Sequence, residues 1–257
     1  GFVADLIDIN DLEDLSELKV FDFIFIALHG FEGEGGKLQK DLDDLNILYS
    51  GSSSKCCKNT WNKKLTKEIL EQNNINTPIW SEVNKLPSYD SPNAKLSDSF
   101  FDKFRPFEAI FLKPQEDGSS IDIFKISNEN NNKNAIQACL NPNRAFIYEE
   151  YINGKEFTVT IIDNICLPPI EIISNNEFYD YDAKYHSDET LLIEAKLNKK
   201  ELIEINKIAF GAFKALECNG WARIDLIQDD EGKFYVIEIN TVPGMTSHSC
   251  VPKSGSF

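Results

Sequence analysis

Four polar residues near the carboxyl end of this 257-residue chain have the types and spacing to act together: Arg223 and Asp225 in WARIDLIQ, and Glu238 and Asn240 in FYVIEINT. The two runs flank DDEG and read as a β-hairpin. Residues two apart in a strand share a face, so Arg223 goes with Asp225, and Glu238 with Asn240. A loop of two or four residues sets position 225 opposite 236 or 238 and brings both pairs onto one face, whereas a three-residue loop would undo the pairing. Asp, Glu and Asn oxygens gathered there suit a hard cation such as Mg²⁺, with phosphate oxygens completing the octahedron. The pattern leaves open a solvated hairpin face whose charges pair with each other. The apolar flanks Ile224, Leu226, Ile237 and Ile239 speak against a plain surface.

A second group lies in FLKPQEDGSS. Lys113 at a strand end, followed by a Gly-Ser loop, puts an ammonium beside free backbone N–H groups, which suits a phosphate chain. Lys63 is a candidate second cation. Lone lysines are usually surface residues. No G-x-x-x-x-G-K-[ST] occurs: GFEGEGGKL fails because Leu38 follows Lys37, which disfavours a P-loop nucleotidase. In EEYINGKEF, the backbone at Glu149, Tyr151 and Ile152 could read an adenine edge and Glu156 could accept a ribose hydroxyl; on pattern alone an exposed edge strand is the better reading. Lys184, Tyr185 and His186 sit in the aperiodic FYDYDAKYHSDET, expected to be a long ordered loop. Gly244 follows Pro243 in a turn leading to Ser247, His248 and Ser249, which could cap a helix and hold a carboxylate. No Ser–His–Asp order or active-site Cys motif supports a covalent hydrolase.

The elements that must position these residues are mixed. FDFIFIALHG predicts a strand buried on both faces. LQKDLDDLNI carries leucines at helical spacing, and Asn59 or Thr60 caps a helix from about 61 to 72. Strands are expected at 109–114 and 123–126, then in AFIYEEYI, EFTVTIID and ICLPPIEII. KKELIEINKIAFGAFKAL is the clearest helix. SNENNNKN is a solvated polar insertion. The class is α/β or α+β.

The formal net charge of −16 disfavours nucleic acid and anionic lipid as partners. A triphosphate would need focused lysines and a divalent cation. Six scattered cysteines without a C-x-x-C indicate neither a disulfide framework nor a zinc site but free thiols in a reducing compartment. The longest apolar runs are too short to span a bilayer, and the opening lacks a basic n-region.

In this order, FIALHG, LKPQEDGSS, EFTV, FYDYDAKYHSDET, GWARID and EINTVPGMTSHS resemble the D-alanine–D-alanine ligase family of the ATP-grasp superfamily, over about residues 21–252. The resemblance implies an ATP-grasp fold with nucleotide between two β-rich subdomains: 1–52 as remnant of an N-terminal α/β substrate domain, 53–147 as central subdomain, and 148–257 as C-terminal subdomain with the metal and catalytic site. It implies a cytoplasmic ligase of peptidoglycan precursor synthesis, an organelle not being excluded. One D-alanine would be phosphorylated by ATP and attacked by the amine of a second, with two Mg²⁺ (or Mn²⁺) and homodimeric assembly to be looked for. A homologue that binds Mg-ATP without ligation is the alternative.

Carried over, Lys63 and Lys113 contact ATP phosphates, with Lys184 on the lid loop. Glu149, Tyr151 and Ile152 line the adenine pocket, with Glu156 on the ribose. Asp225, Glu238 and Asn240 hold metal. Arg223 and the N–H of Gly244 stabilise the oxyanion. Ser119 and Tyr185 order the lid loop. His29, Ser249 and Cys250 face the amino-acid substrates. Departures are expected to matter: the chain starts after the family's Gly-rich, Glu-bearing segment and stops before its usual terminal helix, which implies low turnover by these 257 residues alone. Asp122 replaces a usual Gly near the triphosphate, Phe31 and Gly35 depart from the pattern after His29, and Cys250 replaces a common Leu.

Overall fold

The computed structural model describes residues 1, 3–83, 109–118, 121–127, 138, 143–173 and 190–257. Ser119, Lys184 and Tyr185 lie outside them. Two antiparallel sheets carry the described chain. The first has the order β1 (Trp80–Glu82), β4 (Phe146–Glu150), β2 (Ala109–Pro114), β3 (Phe124–Ser127). The second runs β10 (Phe234–Asn240), β9 (Trp221–Asp229), β5 (Gly154–Ile162), β7 (Ile170–Ile173), β8 (Leu191–Glu194), with β6 (Ile165–Cys166) also on β5. The mixed antiparallel α/β architecture is the one the sequence predicts. The short strands β1 and β8 carry no alternation that would have announced them.

Helices α1 (Phe31–Glu34), α2 (Lys37–Asp44), α3 (Ser54–Trp61), α4 (Lys63–Gln72), α5 (Lys199–Ala215) and α6 (Cys250–Ser254) complete the described elements. The helix expected from 61 instead begins at Lys63. Asn62 breaks the chain between α3 and α4 and caps α4 by accepting the Leu65 N–H at 3.0 Å. Its own backbone is extended, so α3 cannot run through it. On α5, Ile205, Ala209, Ala212 and Phe213 recur on one face and are buried against the second sheet. Cys56 of α3 and Leu70 of α4 belong to that same core, so these helices brace the second sheet although they precede the first in sequence. The expected boundary at 148 falls inside β4, which pairs with β1 and β2.

The segment FDFIFIALHG is a correction. It forms a single parallel bridge, Ile24 to Tyr49, with Ile26 buried and Phe23 and Phe25 each 54% exposed. Among the described residues its backbone pairs only with 48–50, so one face is covered and the other is met only in part, where the Phe25 and Trp221 ring centroids lie 5.2 Å apart. Continuous hydrophobicity therefore did not mean burial on both sides. The described cysteines are free thiols.

Candidate active site

The two sheets face each other across a cleft. Lys63, Lys113, Phe111 and Glu149–Ile152 line one side; Glu156, Asp225–Ile227, Ile237 and Glu238 line the other. The terminal hairpin supplies the acids, by a route the sequence did not predict. Asp229 N–H donates to Lys233 O, Gly232 N–H donates back to Asp229 O, and Gly232 has φ +84°. The loop therefore holds three residues, with glycine in the left-handed position such a loop requires. Gln228 pairs with Phe234, and Leu226 with Val236. That register alone would put Ile237 opposite Asp225 and send Glu238 into the core. A bulge between Val236 and Glu238 shifts the register by one residue, so that Asp225 faces Glu238 and Arg223 faces Asn240. Ile237 and Glu238 consequently both turn to the cleft, while Val236 and Ile239 stay buried.

Neighbouring chain supports the bulge. β10 is an edge strand, and its outward groups at Val236 are met by residues 76–77. Val236 N–H donates to Asn76 O at 2.8 Å, and Thr77 Oγ1 donates to Val236 O at 2.9 Å. Thr77 Oγ1 in turn accepts from Lys67 Nζ at 2.8 Å. Lys67 is one helical turn beyond Lys63 on α4, on its buried face with Thr66 and Leu70. Sequence reasoning missed it, although its i+4 spacing from Lys63 was a usable signal.

Lys67 and Lys113 both close on Glu149, at 2.6 Å and 2.5 Å, with Glu149 2% and Lys67 1% exposed. Burial alone would raise the Glu149 pKa, but the two ammonium groups outweigh it and hold the carboxyl below its ordinary value. Burial lowers the pKa of Lys67, with Lys113 adding to the effect and Glu149 opposing it. Lys63 is likewise lowered by burial, against the pull of Glu238. Its Nζ donates to Asp117 O at 2.6 Å, and its N–H to Gln115 O at 2.7 Å. The start of α4 is thus fastened to the loop after β2.

Arg223 grips Asp225 through two bonds, Nε to Oδ1 at 2.8 Å and Nη2 to Oδ2 at 2.7 Å, and Thr158 Oγ1 donates to Oδ1 at 2.7 Å. Burial opposes the Arg223 charge, but Asp225 outweighs it and the guanidinium pKa rises. Nη2 also lies 3.9 Å from Glu238 Oε1, so the fork is oriented chiefly by Asp225. Among the described residues no group of three or more His, Cys, Asp or Glu could hold a metal ion by itself; the donor set here is two carboxylates and an amide. Asn240 Oδ1 accepts from Val242 N–H at 2.9 Å, so it brings only its second lone pair to any cation.

The apolar end of the cleft is built on Tyr151 and Ile152, in the segment joining β4 to β5. Tyr151 meets Phe111 edge-on with centroids 5.5 Å apart, and Lys125 Nζ lies 3.7 Å from the Tyr151 ring centroid. Glu149, expected to line an adenine pocket, reaches the cleft but commits its carboxylate to the two lysines. His29 is exposed, at the entry to α1. Ser249 precedes α6, gives it no side-chain cap, and exchanges a hydroxyl bond with Thr246 at 2.9 Å. A Cβ on Gly244 would come 2.7 Å from Ser249 Oγ, so a side chain there would displace the Ser249 hydroxyl. Cys250 is buried with Ile170 and Ile172. None of these four lines the cleft itself, although Cys250 packs against Ile172, which does.

Comparison with known proteins gives this geometry a family. The model described as "D-ala D-ala ligase C-terminus" matches residues 69–256. The chain is 38% identical over 240 residues to the D-alanine–D-alanine ligase of Marinomonas sp., covering 92% of this chain and 73% of that protein. It is 35% identical to that of Haemophilus ducreyi, covering 100% and 82%. A crystal structure of the D-alanine–D-alanine ligase from Bacillus anthracis complexed with ATP superposes with a TM-score of 0.77 at 30% identity, covering 94% of this chain and 75% of that one. With a family model over most of its length, relatives above 30% identity and lysines facing carboxylates across one cleft, the chain belongs to the D-alanine–D-alanine ligase family.

Proposed function

We propose that this protein is an ATP-dependent ligase that joins two D-alanines through an acyl phosphate, for peptidoglycan precursor synthesis. The observation that carries the reading is the cleft itself: Lys63 and Lys113 face Asp225 and Glu238 across a space whose other end is apolar and aromatic. Phosphoryl transfer asks chiefly for charge neutralisation and positioning. ATP would lie with its base between Tyr151, Ile152 and Ile227, its ribose near Glu156, and its phosphates against the two lysines.

Hard oxygen donors from Asp225 and Glu238, with the spare lone pair of Asn240, fit Mg²⁺. When bound, Mg²⁺ supplies charge neutralisation that a chain of net −16 otherwise gets only from its lysines and arginines. The guanidinium of Arg223 would stabilise the oxyanion that forms when the amine attacks, with the N–H of Gly244 as a second donor. Ser249 and His29 would hold the amino acids, and Ser119, Lys184 and Tyr185 would close the site. No described helix is long and apolar enough to cross a membrane, and dependence on ATP fits a cytoplasmic enzyme. Nothing in the comparisons favours a homologue that binds nucleotide without ligation.

The test is phosphate release from ATP in the presence of D-alanine, with mass-spectrometric detection of the dipeptide. Dipeptide formed in proportion to phosphate supports the reading, and phosphate release without dipeptide overturns it.

A further inference from the structure

The loop joining β2 to β3 carries three acids among its described residues; Glu116 Oε1 accepts from Asn62 Nδ2 at 2.8 Å, which leaves Asp117 and Asp122. It lies beside the cleft: Asp117 O accepts from Lys63 Nζ at 2.6 Å, and Ile123, next to Asp122, lines the wall. Two carboxylates there would oppose a polyphosphate and weaken the field of Lys63. Both are instead taken by one side chain. Arg144 donates through Nη1 to Asp122 Oδ2 and through Nη2 to Asp117 Oδ2.

The arginine is itself held on the fold. It directly precedes the Ala145–β4 segment, where Gln115 N–H donates to Ala145 O at 2.8 Å, and its guanidinium lies 5.5 Å from the Phe146 ring centroid. Asp122 has φ +53°, a left-handed conformation that Asp tolerates but does not favour. A charge-assisted bond to its side chain offsets that cost. The planar fork matters, because a lysine ammonium is a point charge without the guanidinium's fixed pair of donors.

We propose that Arg144 is a positioning residue for the polyphosphate end of the site: it cancels the carboxylates of Asp117 and Asp122 and fixes the two ends of their loop beside Lys63. This rests on the reading of the cleft as an ATP site. The test measures ATP and adenosine affinity and the KM values for ATP and D-alanine on the whole chain.

Arg144→Gln should weaken ATP binding about tenfold, as expected for an uncancelled charge a few ångströms from a polyphosphate in half-wet surroundings. Adenosine binding, KM for D-alanine and kcat should stay within about twofold of the parent on the same argument. Adding Asp122→Asn and Asp117→Asn to Arg144→Gln should return most of the ATP affinity, a rescue that a purely structural role would not give. Arg144→Lys should fall between parent and Arg144→Gln. Unchanged ATP affinity in Arg144→Gln, an equal loss for adenosine, or no rescue by the Asn substitutions would overturn the inference. Failure of the unsubstituted protein to bind ATP would overturn the functional reading instead.

Discussion

Glu149→Gln tests the internal logic of the site most sharply. In the parent, one carboxylate answers two ammonium groups, Lys67 at 2.6 Å and Lys113 at 2.5 Å. Removing its charge leaves two buried cations side by side. Taking away one member of a buried ionic group typically costs about 3–5 kcal/mol, which for a chain of this size lowers Tm by on the order of 10 °C. Lys113 borders the cleft and can turn toward water; Lys67 is 1% exposed and cannot.

Lys67→Met should therefore cost less than Glu149→Gln, because Glu149 keeps Lys113. The double variant should recover about 1 kcal/mol or more of the Glu149→Gln loss, within the usual range of coupling between contacting residues. The pH dependence has a definite sign. Lys67 already titrates below 10.5 in the folded parent, so the folded state binds fewer protons than the unfolded one between that lowered pKa and 10.5, and stability rises with pH there. Without Glu149 the lysine pKa drops further, so the penalty of Glu149→Gln should shrink as pH rises from 7 toward 10. In the parent, Glu149 contributes stability above 4.5 that is lost as pH falls through its depressed folded value. Urea unfolding at pH 7 and pH 9.5 reads the lysine dependence, and an acid series below pH 4.5 reads that of Glu149. A Glu149→Gln cost below about 1 kcal/mol, or a larger cost for Lys67→Met, would refute the three-group account.

Other outcomes follow from single contacts. Glu238→Gln should weaken ATP binding in magnesium by about tenfold or more while leaving Tm within about 2 °C, since the side chain is half-exposed and its proposed task is ligation; isothermal titration with and without magnesium reads both. Thr158→Val removes the 2.7 Å donor to Asp225 Oδ1 at a buried site and should cost about 1 kcal/mol of stability. Its kcat should fall while its KM for ATP changes little if Asp225 orients Arg223 for the oxyanion; a rise in KM for ATP with kcat unchanged, read by steady-state kinetics, would refute that. Asn62→Ala deletes the cap of α4 and should cost about 1 kcal/mol, with a rise in KM for ATP because Lys63 is the next residue; an unchanged KM would mean that Lys63 is held by Asp117 alone.

The fold and the site were legible to different degrees. Helix α5 and the pairs β2–β3 and β9–β10 follow from apolar period and turn residues that agree with their tertiary surroundings. FDFIFIALHG misled because hydrophobicity reports what can be buried, not what is: Phe23 and Phe25 stay half-exposed while Ile26 is covered. Lys67 escaped because a lysine among helix apolars reads as surface, and only Glu149, 82 residues later, gives it a reason to be inside.

The hairpin is the most instructive case. An uninterrupted strand alternates its faces, which would put Glu238 on the same face as Phe234 and Val236, both fully buried. The three-residue loop closed by Gly232 enforces that conflict, because its register sets Ile237 opposite Asp225. Two solutions exist: bury an unpaired carboxylate, at a cost of several kcal/mol, or interrupt the ladder once. The chain does the second, between Val236 and Glu238. The interruption is tolerable because Asn76 and Thr77 satisfy the edge groups of Val236, and Thr77 is tied to Lys67. The lysine that neutralises Glu149 on one side of the cleft therefore also supports the bulge that presents Glu238 on the other, and a register error at the hairpin becomes the means of facing Asp225 with a second acid.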